Sequence, residues 1–333
     1  IKKMRFILFI TFSFLIYSCE SSSKSYSLSG FALGTSLNIK HEAEIDTDDL
    51  TFNIDSLLMK INKSMSTYQL DSDISKINAG LEIQVDSFFR DVFIESSKIW
   101  KLTNGAFDPT VGALVNAYGF GPDKKFINEL SDKQLDSLLN ITGWNKINLN
   151  KDGFLSKSNK NITLDFNAIA KGYTVDVISK YLESIGAKNY LIEIGGEVSA
   201  KGYSPKSNGP WKIGIDSPEP NLSKRNIYTT YNLKDRSIAT SGNYRHFRIN
   251  KKTGKKYVHT IDPRTGYPIQ SQILSTSVTA KDCISADAWA TSLMVLSLDD
   301  GKVLIENDSD LEALWIISTE GGLESFYSSG WMK

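Results

Sequence analysis

The stretch Leu164–Asp165–Phe166–Asn167–Ala168–Ile169–Ala170–Lys171–Gly172–Tyr173 decides how this chain is read. An alternating segment, with Ile162 and Leu164 on one side, ends in the carboxylate of Asp165. Small residues follow, and then a long amphipathic pattern begins. This is how a strand hands over to a helix whose first turn is open to a ligand. Such a turn carries free N–H groups and the positive end of the helix dipole, both suited to phosphate. Lys171 adds a charge at the same place. Taken alone, the stretch fits a solvated strand–loop–helix junction equally well.

Outward from this junction, the helix is expected over Ala168–Ile185, with Val175, Ile178 and Leu182 inward and Gly186 at its stop. Tyr190–Ile194 reads as a buried strand ending at Gly195–Gly196–Glu197. The glycine pair suits close approach by a ligand or a neighbouring chain segment, or a simple β-bulge. Before the junction, a strand over Phe31–Ile39 is interrupted by Gly34–Thr35. Asp48 or Asp49 caps a helix running to Met65, and Glu82–Val85 forms a short strand. Asp86 caps a further helix, with Gly105 just past its end. The run Gly105–Asn116 is read as a shaped loop. Ser131–Gln134 fits a capping box, and Lys146–Leu149 and Phe154–Lys157 fit short strands. The second half is strand-rich, with a hairpin turning over Lys251–Gly254 and a helix carrying Ala286–Thr291.

Composition narrows the function classes. The chain has 333 residues, enough for a sizeable core, and 41% hydrophobic content marks it as globular. Lys+Arg and Asp+Glu both total 38, so no basic field points to nucleic acid. With two cysteines, Cys19 and Cys283, and three histidines, neither a disulfide scaffold nor a Cys/His zinc site is expected.

Lys2, Lys3 and Arg5 precede an apolar run, Phe6–Tyr17, too short for a comfortable membrane span. Ile16–Tyr17–Ser18–Cys19 ends it. We expect residues 1–18 to be a lipoprotein signal peptide, Cys19 to be the lipidated residue, and 19–29 to be a flexible tether. Residues 30–333 then form the catalytic domain.

Polar residues gather at element ends: Tyr68, Asp108, Asp165, Lys171, Glu197, Arg245, His259, Asp262, Asp287 and Thr291. Asp287 and Thr291 are four apart on an expected helix, so both oxygens lie on one face. Two hard oxygen donors at that spacing suit Mg²⁺. A helix-surface Asp and a Thr bonded to its own backbone would look the same.

Taken in order, the motifs resemble those of bacterial FAD:protein FMN transferases, the flavin transferase family once called thiamine-biosynthesis lipoproteins. The pieces are Gly34–Thr35, Met65–Tyr68 with Ser72–Asn78, Gly105–Gly112, Asp165–Tyr173, Glu193–Glu197, Ala239–Arg245, His259–Gly266, and Ala286–Asp287 with Thr291. Each is weak alone, but together they span essentially all of residues 30–333. The resemblance implies an α+β fold with mixed, largely antiparallel sheets and packed helices. It implies FAD as FMN donor and Mg²⁺ as cofactor. FMN would pass to a Thr or Ser hydroxyl of a target flavoprotein, a subunit of a membrane redox complex or an exported protein, with AMP released.

Carried onto this chain, Tyr68, Asp165, Lys171 and the Ala106–Phe107–Asp108 loop match FAD-binding positions, and Leu33 and Ile261 match apolar positions at the flavin. The Ala168 carbonyl, Asp287 and Thr291 match the metal site. Leu33 replaces a usual Met, and Asn167 replaces a common Gly or Ser. A base must take the hydroxyl proton; His259 is the first candidate, with Asp262 or Asp287 as competitors. Two other readings share these motifs: a Mg²⁺-dependent FAD pyrophosphatase giving FMN and AMP, and a non-catalytic FAD-binding lipoprotein. The signal and the acceptors together imply an exported lipoprotein, anchored to a membrane and facing the periplasm.

Overall fold

The computed structural model describes residues 25–122, 130–219, 226–244, 247–249 and 256–331. The signal segment, Cys19, Arg245 and the Lys251–Gly254 turn lie outside the described residues.

Alternation of apolar and polar residues sets the first hairpin, β1 (Tyr26–Ala32) and β2 (Thr35–His41). Helices follow: α1 (Thr47–Met65), α2 (Asp73–Asn78), α3 (Ser87–Leu102), α4 (Gly112–Ala117) and α5 (Asp132–Asn140). A small hairpin, β3 (Ile147–Leu149) and β4 (Leu155–Lys157), leads to α6 (Ala170–Ser184). Strands come next: β5 (Tyr190–Ile194), β6 (Glu197–Lys201), β7 (Trp211–Asp216), β8 (Ile227–Leu233), β9 (Arg236–Gly242), β10 (Phe247–Ile249), β11 (Lys256–Val258) and β12 (Ile273–Ala280). The described chain closes with α7 (Cys283–Val295), α8 (Leu298–Glu306), β13 (Glu312–Thr319) and β14 (Gly322–Tyr327).

One eight-stranded sheet organises the molecule, in the order β1-β2-β5-β6-β9-β12-β13-β14. Every neighbouring pair in it is antiparallel. Helices α6 and α7 lie side by side on one face, α6 against β5 and β6, and α7 against β9 and β12. On the opposite face the β7–β8 hairpin packs Trp211, Ile215 and Leu233 onto Val198, Ile238 and Leu314. Strand alternation serves both faces: in β9, Ile238 joins the hairpin side and Ala239 the helix side. This is the α+β, largely antiparallel architecture expected from the sequence.

Several local expectations are corrected. The α1 cap is Asp46, whose side chain accepts from the N–H groups of Asp48 and Asp49; those two aspartates fill the first turn. Glu82–Val85 is not a strand, and Gln84 makes only a single bridge to Phe154. The Gly105–Asn116 loop ends early in α4, which a parallel bridge from Val111 to Thr163 pins in place. The central helix starts at Ala170, because residues 167–169 form a turn first. The pair Gly195–Gly196 makes a tight hairpin turn, both at positive φ. A Cβ on Gly195 would stand 2.5 Å from Thr35 Cγ2, so the approaching neighbour is the first residue of β2.

Candidate active site at the junction of two helices

Helix α7 is buried nearly all round, as its Ala, Ser, Leu and Met content dictates. Asp287 stands in that helix at 2% exposure. A carboxylate there must be paired. Its Oδ2 accepts from the Gly172 N–H at 2.9 Å, and its Oδ1 lies 3.9 Å from Lys171 Nζ. Gly172 permits this approach: a Cβ would stand 2.2 Å from the Cys283 carbonyl and 2.7 Å from Asp287 Cβ. The Gly172 N–H would bond the Ala168 carbonyl in a continuous helix. Its bond to Asp287 competes with that contact.

Lys171, on the first turn of α6, is half-buried. Its Nζ donates to Glu197 Oε1, at the start of β6. Burial disfavours the ammonium, but Asp287 and Glu197 outweigh it and hold the lysine pKa above its ordinary value. Burial also pushes Glu197 up to about 7, against the pull of Lys171 and with Asp287 adding to the rise. Glu197 Oε2 is buried without a hydrogen-bond partner among the described residues. On the next turn of α7, Thr291 Oγ1 meets Ser241 Oγ of β9 at 3.2 Å.

Asp165 arrives by backbone pairing. Asn78 brackets Leu164, accepting from its N–H at 2.8 Å and donating to its carbonyl at 2.9 Å. The Asp165 N–H donates to the Pro109 carbonyl at 2.8 Å, tying this stretch to the Ala106–Asp108 loop. Asp165 Oδ1 accepts from the Asn167 N–H at 2.8 Å. Asn167 thus closes the turn before α6. Burial raises the Asp165 pKa, with the Asn167 N–H opposing. Tyr68 is 62% exposed, and its hydroxyl pKa is raised by partial desolvation and by Asp165.

Other candidate positions have different neighbours. Asp108 Oδ1 accepts from both the N–H and hydroxyl of Thr110, and Oδ2 from the Trp144 N–H at 2.8 Å. It knots its loop together. Ala106 and Phe107 belong to the core, so what they offer a ligand is backbone. Asp262 is held by its own Arg264, Nε to Oδ1 and Nη2 to Oδ2, both at 2.9 Å. That fork engages one lone pair of each oxygen, which leaves Asp262 less available as a proton acceptor than an unpaired carboxylate. His259 is half-buried, its ring edge-on to Phe120 at 6.3 Å. Ile261 is buried and bridges to Pro268. Leu33 and Gly34 form the β1–β2 turn at φ 50° and 77°; a leucine there costs about 1–2 kcal/mol.

Two cavities flank the His259–Gly266 loop. One, of about 540 Å³, is lined by Tyr257, Asp262, Tyr267, Ile269 and Leu296 among others. The other, of about 350 Å³, takes in Trp100, Gly105, Asp108, Lys146 and Arg264. The helix junction lines neither.

The donor set fits a hard divalent cation. Carboxylate, hydroxyl and backbone carbonyl oxygens are what Mg²⁺ takes; Asp287 and Thr291 stand one turn apart on α7, and the Ala168 turn leads into the first turn of α6, whose Gly172 N–H meets Asp287. The role of Glu197 was not assigned from the sequence; its signal is a carboxylate directly after a glycine pair, opening a buried strand. Asp176 was missed outright. Its two oxygens accept from the Cys283 and Ile284 N–H groups, both at 2.8 Å, so a side chain of α6 caps α7.

Comparison with known proteins identifies the family. A curated FAD:protein FMN transferase of Vibrio cholerae is 36% identical over 321 residues, covering 95% of this chain and 94% of that protein. One of Haemophilus influenzae is 34% identical, covering 98% and 96%. The solved structure of the flavin transferase ApbE from Vibrio cholerae superposes with a TM-score of 0.83 at 36% identity, covering 93% of this chain and 98% of that one. Residues 33–315 match the model of the ApbE family, and the chain belongs to that family.

Proposed function

We propose that this chain transfers FMN from FAD onto a Thr or Ser hydroxyl of a target flavoprotein, and that Mg²⁺ bound by Asp287, Thr291 and the Ala168 carbonyl supports the step. The observation that carries this reading is the convergence of Lys171, Asp287 and the 165–168 turn at the α6–α7 junction. When bound, the cation supplies charge neutralisation at the FAD pyrophosphate. Lys171 adds a second positive charge beside it. The flavin nucleotide would lie toward Tyr68, Leu33 and Ile261, with the backbone of the 106–108 loop and Asp165 as further contacts. The acceptor hydroxyl attacks the FMN phosphorus, the bond to the AMP phosphate breaks, and His259 takes the hydroxyl proton.

The acceptors proposed are subunits of membrane redox complexes or exported flavoproteins. Cys19 would carry the lipid that anchors the enzyme facing the periplasm, a reading supported by the apolar run and the cysteine that ends it.

A single assay tests the chemistry. The chain is incubated with FAD, Mg²⁺ and a candidate acceptor domain, and the acceptor is weighed by mass spectrometry. A gain equal to FMN is expected. Free FMN and AMP without labelling would mean that water replaces the hydroxyl, and unchanged FAD would mean a binding protein. Asp287→Ala is expected to abolish turnover; full activity in that variant would sink the metal assignment.

A further inference from the structure

Glu197 is 3% exposed, and its two oxygens have different fates. Oε1 accepts from Lys171 Nζ, while Oε2 is buried with no hydrogen-bond partner among the described residues. A buried carboxylate oxygen with nothing to accept from leaves its desolvation uncompensated. A donor therefore belongs at Oε2 in the working enzyme. Lys171 already serves Oε1, and among the described residues no side chain bonds Oε2. Mg²⁺ keeps several of its waters when it binds a protein, and those waters are strong donors. Carboxylates in the outer shell of a metal site orient such groups.

We propose that Glu197 is a positioning residue for both halves of the site: Oε1 holds the Lys171 ammonium at the α6–α7 junction, and Oε2 accepts from a water on the divalent cation. This rests on the cation reading given above. The hairpin turn at Gly195–Gly196 serves the arrangement, because Glu197 is the first residue of β6 and its reach is set by that turn. Glu197 couples the residue that meets phosphate to the residues that hold the metal, without itself touching the reacting atoms.

The test is a calorimetric Mg²⁺ titration of the full chain without FAD, together with thermal melts. Glu197→Gln keeps the shape, but one of its terminal atoms donates, so it cannot accept from both the lysine and a water. Its Mg²⁺ affinity is expected to fall at least about tenfold with Tm nearly unchanged. Glu197→Asp keeps the charge and loses reach; it is also expected to bind Mg²⁺ more weakly than wild type. Wild-type affinity in Glu197→Gln would overturn the proposal, whether or not its Tm falls. Wild-type affinity in Glu197→Asp would show that charge suffices and overturn the positioning role. Absence of Mg²⁺ binding by the wild type would overturn the cation reading itself, and the proposal with it.

Discussion

Asp108, Asp262 and Asp287 carry similar signals in the sequence, each a carboxylate near an element end or inside a motif. Their surroundings separate them. Asp108 has both oxygens engaged by Thr110 and Trp144, and Asp262 is clamped by Arg264. Asp287 gives one oxygen to the Gly172 N–H and turns the other toward Lys171. The difference governs what each substitution does. His259→Gln is expected to lower the rate of FMN attachment by about 10²–10⁴-fold, the usual worth of a positioned base. Asp262→Asn should change it by less than about tenfold. The amide oxygen keeps one bond from Arg264 and the amide nitrogen cannot accept the other, a cost to the loop of about 1–3 kcal/mol that falls on its folding more than on the reacting atoms. Measured rates with the acceptor domain check both; a larger loss in Asp262→Asn would make it the base. Which acids are committed elsewhere was not legible in the sequence, because the partners of Asp108 include Trp144, 36 positions away. Asp165 and Lys171 were legible as site candidates because the alternation of Ile162 and Leu164 ahead of a helical pattern is local, although that segment makes a single bridge, Thr163 to Val111, and is not a strand.

Helices α6 and α7 form one unit, cross-linked from both sides. Gly172 donates to Asp287, and Asp176 accepts from the first turn of α7. Gly172→Ala should force the helices apart, since the new Cβ meets backbone rather than a flexible side-chain tip. The expected cost is about 1–3 kcal/mol, seen as a lower Tm, with weakened Mg²⁺ affinity as Asp287 shifts. Asp176 adds a pH dependence. Burial raises its pKa to about 7, with Asp282 adding and the two α7 N–H groups and Lys180 opposing. Unfolded, it titrates near 3.8. The folded state therefore binds this proton more tightly. The stabilisation is complete below about pH 4 and is lost as pH rises through about 7. Tm should fall from pH 5 to pH 8, and Asp176→Asn should flatten that slope. Glu197, shifted in the same direction, leaves part of it. Sequence periodicity placed α6 within two residues, because its inward stripe is regular. It passed over α8, where Gly301 sits mid-helix and dilutes the pattern. It also read α4 as loop, because that six-residue helix is held by tertiary contacts rather than by propensity.

At the scale of the whole molecule, the sheet converts sequence distance into contact. The junction draws on Lys171 and Gly172 of α6, Glu197 of β6, Ser241 of β9, and Asp287 and Thr291 of α7. These stretches meet because β5, β6, β9 and β12 are neighbours in one antiparallel sheet, with both helices laid across it. The α+β architecture came from the family resemblance, with the strand-rich second half visible in the pattern, whereas the strand order was not legible, since β6 pairs with β9 across an intervening hairpin that packs on the opposite face. A site assembled this way does not exist in the unfolded chain, so a cation bound there stabilises only the folded state. The gain is RT ln(1 + [L]/Kd), about 2.7 kcal/mol at a hundredfold excess over Kd. Tm of the wild-type chain should therefore rise with added Mg²⁺ and return to its starting value with EDTA. Asp287→Ala should remain folded and lose this response, because the carboxylate is the one charged ligand in the proposed set. Should Asp287→Ala keep the full Mg²⁺-dependent rise, the cation would bind elsewhere in the chain.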